Sequence, residues 1–191
     1  MTKIAVFSSG KGTTFKHLAE HFKAKNFNAS IDLLVTDREG IGAIDIACNL
    51  NIPSVVAKKS NFTTDEHLQV YILSELQKHQ INFIVLAGYL KKISPTILCN
   101  FENKIINTHP SLLPKYGGKG MYGKKIHQEV IKNSDPEAGA TIHFVNSEYD
   151  KGAIIDQQSI PVETSDTAIT IEQKIKALEK TLLIKTLEDL I

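Results

Sequence analysis

Short apolar runs alternate with helix-patterned stretches from the first residues to about residue 106, and few folds accept that grammar. Ile4 to Ser8 reads as a buried strand. Thr13 to Lys25 then places Phe15, Leu18, Ala19 and Phe22 at the spacing of a helix with one buried face. Strands are predicted over Ile31 to Thr36 and Ile52 to Ala57, with a helix over Gly42 to Leu50 between them. Asp65 to His79 carries Leu68, Ile72 and Leu76 as a helical stripe, and Phe83 to Ala87 is a near-continuous apolar strand. A short helix follows Ser94-Pro95, with proline at a tolerated first-turn position, before a strand that ends at Ile106. Such βαβα alternation predicts an α/β fold with right-handed crossovers.

From Gly139 the pattern changes. Ala140 to Val145 and Ala153 to Pro161 flank Asn146 to Gly152, which reads as an antiparallel hairpin with a loop long enough to work. A last helix, Thr167 to Leu190, is striped by Ile171, Ile175, Leu178, Leu182 and Leu183. The expected architecture is an open, mostly parallel Rossmann-like sheet with helices on both faces and a C-terminal antiparallel hairpin. We read one domain over 1–191. Its βαβ half, 1–109, holds the first glycine-rich loop, and 110–191 holds a second loop, the hairpin and the C-terminal helix.

With 191 residues, 42% hydrophobic and 23% charged, the chain can bury a real core. A net charge of +1 gives no reason to expect nucleic acid or an anionic membrane as partner. No stretch approaches a membrane span, and the first apolar run is too short for a signal segment, so a cytoplasmic protein is expected. Cys48 and Cys99 lack metal-type spacing and are expected as buried free thiols.

The run Lys104-Ile-Ile-Asn-Thr-His-Pro-Ser-Leu-Leu-Pro114 bears most directly on chemistry. Residues i and i+2 of a strand point to one side, so Asn107 and His109 project together at a strand's carboxyl end, the edge where open α/β sheets bind ligands. An amide donor beside an imidazole can stabilise an oxyanion and move a proton. Each also has an ordinary reading, as a strand cap and as a hydrogen-bonded turn residue. Asp150 sits in Tyr-Asp-Lys-Gly, which is turn chemistry. Near His109, and expected close to the surface, it would favour the imidazolium. His109, His127 and His143 lack zinc spacing, so no metal is expected. Ser111 lacks the glycine-flanked elbow of a nucleophile.

Two glycine-rich loops complete the candidates. Ser9-Gly-Lys-Gly-Thr-Thr14 follows the first strand, but Phe15 replaces the third glycine of a dinucleotide fingerprint and the P-loop pattern fails. It is either room for one phosphate, held by backbone amides and two hydroxyls, or a turn capped by Thr13. Tyr116-Gly-Gly-Lys-Gly-Met-Tyr-Gly123 is locally basic and reads either as a mobile cover for an anionic ligand or as a solvated loop.

Four segments together give the chain a resemblance that covers nearly its whole length. They are Ser9-Gly-Lys-Gly12, Leu86-Ala-Gly-Tyr-Leu-Lys-Lys-Ile93, Asn107-Thr-His-Pro-Ser-Leu-Leu-Pro-Lys115, and Thr141-Ile-His-Phe-Val145 leading to Asp150-Lys-Gly152. The chain resembles the folate-dependent formyltransferases, and among them those of purine synthesis that act on glycinamide ribonucleotide. The resemblance implies that the acceptor's amine attacks the formyl carbon of 10-formyltetrahydrofolate, a co-substrate that is not tightly bound. It implies catalytic roles for Asn107, His109 and Asp150, with His109 protonated. It places the ribonucleotide phosphate at Gly12, Thr13 and Thr14, and a substrate contact at Glu179. It puts the reduced folate against Leu90, Lys91, Lys92 and Ile93, with Asn107, Asn146 and Asp150 completing that site. A monomer or weak homodimer is expected. Thr13-Thr14, Lys91, Lys151 and Asp65 (where an arginine often meets the folate tail) depart from the common pattern. The alternatives are another acceptor, such as an amino sugar nucleotide; a 10-formyltetrahydrofolate hydrolase; and a non-catalytic binding module.

Overall fold

The structure is a computed structural model that describes residues 1–25 and 27–191. The chain falls into two compact units, residues 1–106 with residue 191, and residues 107–190.

In the first unit, strands β1 (Thr2–Phe7), β2 (Ala29–Thr36), β3 (Ser54–Val56) and β4 (Phe83–Leu86) alternate with helices α1 (Thr13–Lys25), α2 (Gly42–Asn49), α3 (Asp65–Lys78) and α4 (Pro95–Asn100). β1 lies parallel to both β2 and β4, and β2 parallel to β3. Parallel neighbours need long crossovers, and the helices supply them. Ile4, Ala5, Val6 and Phe7 are fully buried, as expected of a strand covered on both faces. Helix starts are chemically marked. The Thr64 hydroxyl accepts the His67 N–H at the head of α3, and Ser94 caps α4, with Pro95 in its first turn.

The second unit carries α5 (Lys124–Lys132), β6 (Glu137–Phe144), β7 (Ile154–Pro161) and α6 (Ala168–Leu190), with the end of β5 (Ile105–His109). β6 and β7 pair antiparallel from Glu137 opposite Pro161, with an irregularity between Ile142 and His143. α6 packs on β6, β7 and α5, burying Ile171, Ile175, Leu182, Leu183 and Leu187. The seven strands follow the order β3-β2-β1-β4-β5-β6-β7, mostly parallel with an antiparallel C-terminal pair.

Three expectations need correction. The strand predicted to end at Ile106 continues as β5 through Asn107, Thr108 and His109. Polar side chains there are paired within the protein, so the ladder need not stop at the last aliphatic residue. α5 was not anticipated, because its nine residues carry little apolar stripe beyond Ile126 and Val130 and no side chain caps its start. Cys48 and Cys99 are exposed rather than buried. α2 buries Ala43 and Ala47, and α4 buries Ile97, which turns the cysteines of both helices away from the core.

Candidate active site

β5 and the β6–β7 loop bring three polar groups of the second unit together. Asn107 and His109 stand two residues apart on β5 and both face Asp150. The Asp150 Oδ1 lies 3.6 Å from His109 Nδ1 and 3.5 Å from Asn107 Nδ2. Asp150 itself has a left-handed backbone (φ +56°), which turns the loop inward. Its side chain is only 12% exposed, so it is not the surface group expected.

His143 on β6 is the member that sequence reasoning missed. Its Nδ1 donates to the Phe144 carbonyl at 2.8 Å, which leaves Nε2 to accept from Asn107 Nδ2 at 3.0 Å. The amide is thereby oriented. The available signal was a histidine inside an apolar strand, in the Thr141 to Val145 segment that carries the resemblance; the sequence reading weighed its side chain as a metal ligand and gave it no catalytic part. Among the described residues no group of three or more His, Cys, Asp or Glu side chains is placed to hold a metal ion.

The electrostatics of the pair follow from burial. Burial lowers the His109 imidazole below its ordinary value; the Asp150 charge and the Tyr116 carbonyl push it back up without fully offsetting that, and His143 adds a small further lowering. Asp150 thus favours the imidazolium without raising the ring's pKa above its ordinary value. Burial raises the Asp150 carboxyl, but the nearby His143 ring, the Gly118 N–H that donates to it and the His109 charge hold it below the usual carboxylate range.

Thr108, between Asn107 and His109, donates from its hydroxyl to Glu179 Oε1 on α6 at 2.8 Å. Burial pushes the Glu179 carboxyl up to about 7, the Thr108 bond offsetting only part of this. Asn146 opens the β6–β7 loop, its Oδ1 accepting the Glu148 N–H at 2.9 Å. Lys151 is exposed and paired with Glu148.

The remaining predicted residues lie in the first unit. Gly12 has φ +72°, and a Cβ there would meet the Ala43 Cα of α2 at 2.7 Å, so only glycine lets the loop pack. Thr13 and Thr14 open α1 directly after it. Leu90 follows β4 with its N–H held by the Ser9 hydroxyl at 3.0 Å, and the Ser9 N–H is held by the Gly88 carbonyl. Lys91 Nζ stands 3.9 Å from the buried Asp37, Lys92 is exposed and Ile93 buried. Lys91, Lys92 and Ile93 line a cavity of about 890 Å³, together with Lys58, Ile72 and Asp65. Asp65 is paired with Lys59 Nζ at 3.0 Å.

A family model described as formyl transferase matches residues 2–187. The chain belongs to the formyl transferase family. A phosphoribosylglycinamide formyltransferase of Bacillus subtilis is 37% identical over 179 residues, 94% of this chain and 89% of the relative. The chloroplastic enzyme of the same name from Vigna unguiculata is 37% identical over 98% of this chain, which spans 60% of that relative's length. Among solved structures, glycinamide ribonucleotide transformylase 1 of Geobacillus kaustophilus superposes with a TM-score of 0.91 at 34% identity, covering 100% of this chain and 98% of that one. In this formyl transferase no described helix is long and apolar enough to cross a membrane.

Proposed function

We propose that this chain transfers the formyl group of 10-formyltetrahydrofolate to the amine of glycinamide ribonucleotide, a step of de novo purine biosynthesis. The convergence of Asn107, His109 and Asp150 carries the reading. The transfer forms a bond from the acceptor nitrogen to the formyl carbon and breaks the bond to the folate nitrogen, with negative charge building on the formyl oxygen between the two.

Asn107 meets that charge. Its short N–H contact to His143 fixes the amide, while the 3.5 Å contact to Asp150 is at the edge of hydrogen bonding and yields its N–H to an oxyanion. His109 supports the same charge and gives a proton to the leaving nitrogen. Its lowered basicity suits this order: the imidazolium parts readily with its proton, and the neutral ring then takes back the proton that the attacking amine gives up. Asp150 stabilises that cation and orders a water that takes the proton from the attacking amine.

Gly12, Thr13 and Thr14 hold the ribonucleotide phosphate through amides at the head of α1 and two hydroxyls. Glu179 contacts the ribonucleotide. Leu90, Lys91, Lys92 and Ile93, with Asn146 and Asp150, hold the reduced folate. The cavity beside Lys91 joins apolar walls to four lysines, Lys58, Lys59, Lys91 and Lys92, against three carboxylates, Asp37, Asp65 and Glu66, and the excess of cations suits an aromatic tail ending in carboxylates. Pairing with Lys59 keeps the Asp65 charge from opposing such a tail.

The deciding experiment is an absorbance assay with 10-formyltetrahydrofolate, run with glycinamide ribonucleotide, with an amino sugar nucleotide, and without acceptor. Turnover only with the ribonucleotide supports the proposal; turnover with no amine means hydrolysis instead. Asn107→Ala and His109→Ala are each expected to lower kcat roughly 10²–10³-fold, the scale of a lost oxyanion donor. Losses of only a few-fold would remove those roles.

A further inference from the structure

The segment that follows β5 touches both members of the His109–Asp150 pair, and one side chain anchors it. The Tyr116 carbonyl accepts from His109 Nε2 at 2.9 Å, and two residues on the Gly118 N–H donates to Asp150 Oδ2 at 2.8 Å. Tyr116 holds this position with φ +58°, a left-handed backbone that a bulky residue seldom adopts unaided. Its phenol supplies the restraint. The hydroxyl donates to Asp135 Oδ2 at 2.8 Å and accepts from Asn133 Nδ2 at 2.8 Å, both just past the end of α5. Asp135 is 8% exposed and also takes the Lys115 ammonium, while the Ser111 hydroxyl donates to the Lys115 carbonyl at 2.6 Å.

A carbonyl only accepts, so His109 Nε2 keeps its hydrogen whatever the charge of the ring. The proton that comes and goes is then the one on Nδ1, which faces Asp150. We propose that Tyr116 is a positioning residue for His109: its phenol, tied to Asp135 and Asn133, holds the 116 carbonyl on Nε2 and so makes Nδ1 the nitrogen that delivers the proton. This rests on the formyl-transfer reading for the use of that proton, but not for the clamp itself. The groups facing the ring are Asp150 from the β6–β7 loop, His143 from β6, neutral Asn107 from β5 and the Tyr116 carbonyl.

Tyr116→Phe keeps the ring and the carbonyl and removes only the hydroxyl. A ¹⁵N NMR titration of His109 in the ligand-free protein is expected to show its midpoint at lower pH than in the wild type, because the bond that favours the charged ring loosens. The falling limb of the kcat–pH profile should move the same way. A roughly tenfold loss of kcat near neutrality, the scale of a small misplacement, should leave KM for both substrates unchanged. Asn133→Ala, an exposed change, should move the midpoint in the same direction, and the double variant should add nothing to Tyr116→Phe. A lower kcat with an unmoved midpoint would make Tyr116 mere scaffold and overturn the proposal, as would additive effects. Absence of formyl transfer in the wild type would end the functional reading, while the substrate-free titration still decides the clamp.

Discussion

A methyl group at position 152 would meet the Phe144 carbonyl oxygen at 1.6 Å, closer than any side chain can stand. That same oxygen receives the His143 Nδ1–H, and His143 in turn fixes the Asn107 amide. One backbone contact thus connects a glycine of the β6–β7 loop to the amide assigned to the oxyanion. Gly152→Ala must displace either the Phe144 carbonyl or the loop that carries Asp150. The expected outcome is a kcat loss of at least about tenfold, with a stability cost of about 1–3 kcal/mol typical of overpacking. Steady-state kinetics and thermal denaturation check it together. Wild-type kcat in a destabilised variant would mean that the His143 contact does not govern the amide.

Helix α5 shows what patterning conveys and what it leaves out. Elements with four or more apolar residues in one run or stripe, such as β1, β4 and α6, are legible because their burial outweighs every local preference. α5 instead lies against α6 with Ile126, His127 and Val130, and a histidine at a core position breaks the stripe. His127 is 2% exposed, and its Nδ1 has no hydrogen-bond partner among the described residues. Burial lowers its pKa, with Glu172 opposing weakly and Lys176 assisting. The native helix pair therefore binds fewer protons than the unfolded chain as pH falls below about 6.5, and stability is lost in that direction. His127→Leu removes both the unpaired nitrogen and this sensitivity. It is expected to stabilise by about 1 kcal/mol at neutral pH, with a larger gain at pH 5. Melting curves at the two pH values measure it; an equal or smaller gain at pH 5 would assign the benefit to packing alone.

Across the whole molecule, the fold class and the Asn107–His109 pair were readable because both rest on period-two and period-3.6 patterns that local sequence carries. His143, Tyr116 and Gly118 were not, since each matters through a partner 7 to 36 residues away. The state of His109 was also hidden: a nearby carboxylate argued for charge, and only burial, which depends on every surrounding element, reverses the direction. The same competition shapes stability against pH. Buried His109 and His127 cost stability as pH falls below their unfolded values. Glu179 acts in the opposite sense. With its carboxyl raised to about 7 chiefly by burial, the native state binds the extra proton between the ordinary value of 4.5 and 7, so stability falls as pH rises through that window. Gln cannot ionise, yet its Oε1 can still accept from the Thr108 hydroxyl. Glu179→Gln should therefore match the wild type near pH 4.5 and exceed it by about 2 kcal/mol above pH 7, a rise in Tm of roughly 4–8 °C. KM for glycinamide ribonucleotide should rise in the same variant, because a carboxylate retained at a stability cost has its use in contacting substrate. An equal Tm gain at both ends of the pH range would show that ionisation of Glu179 is not what the fold resists.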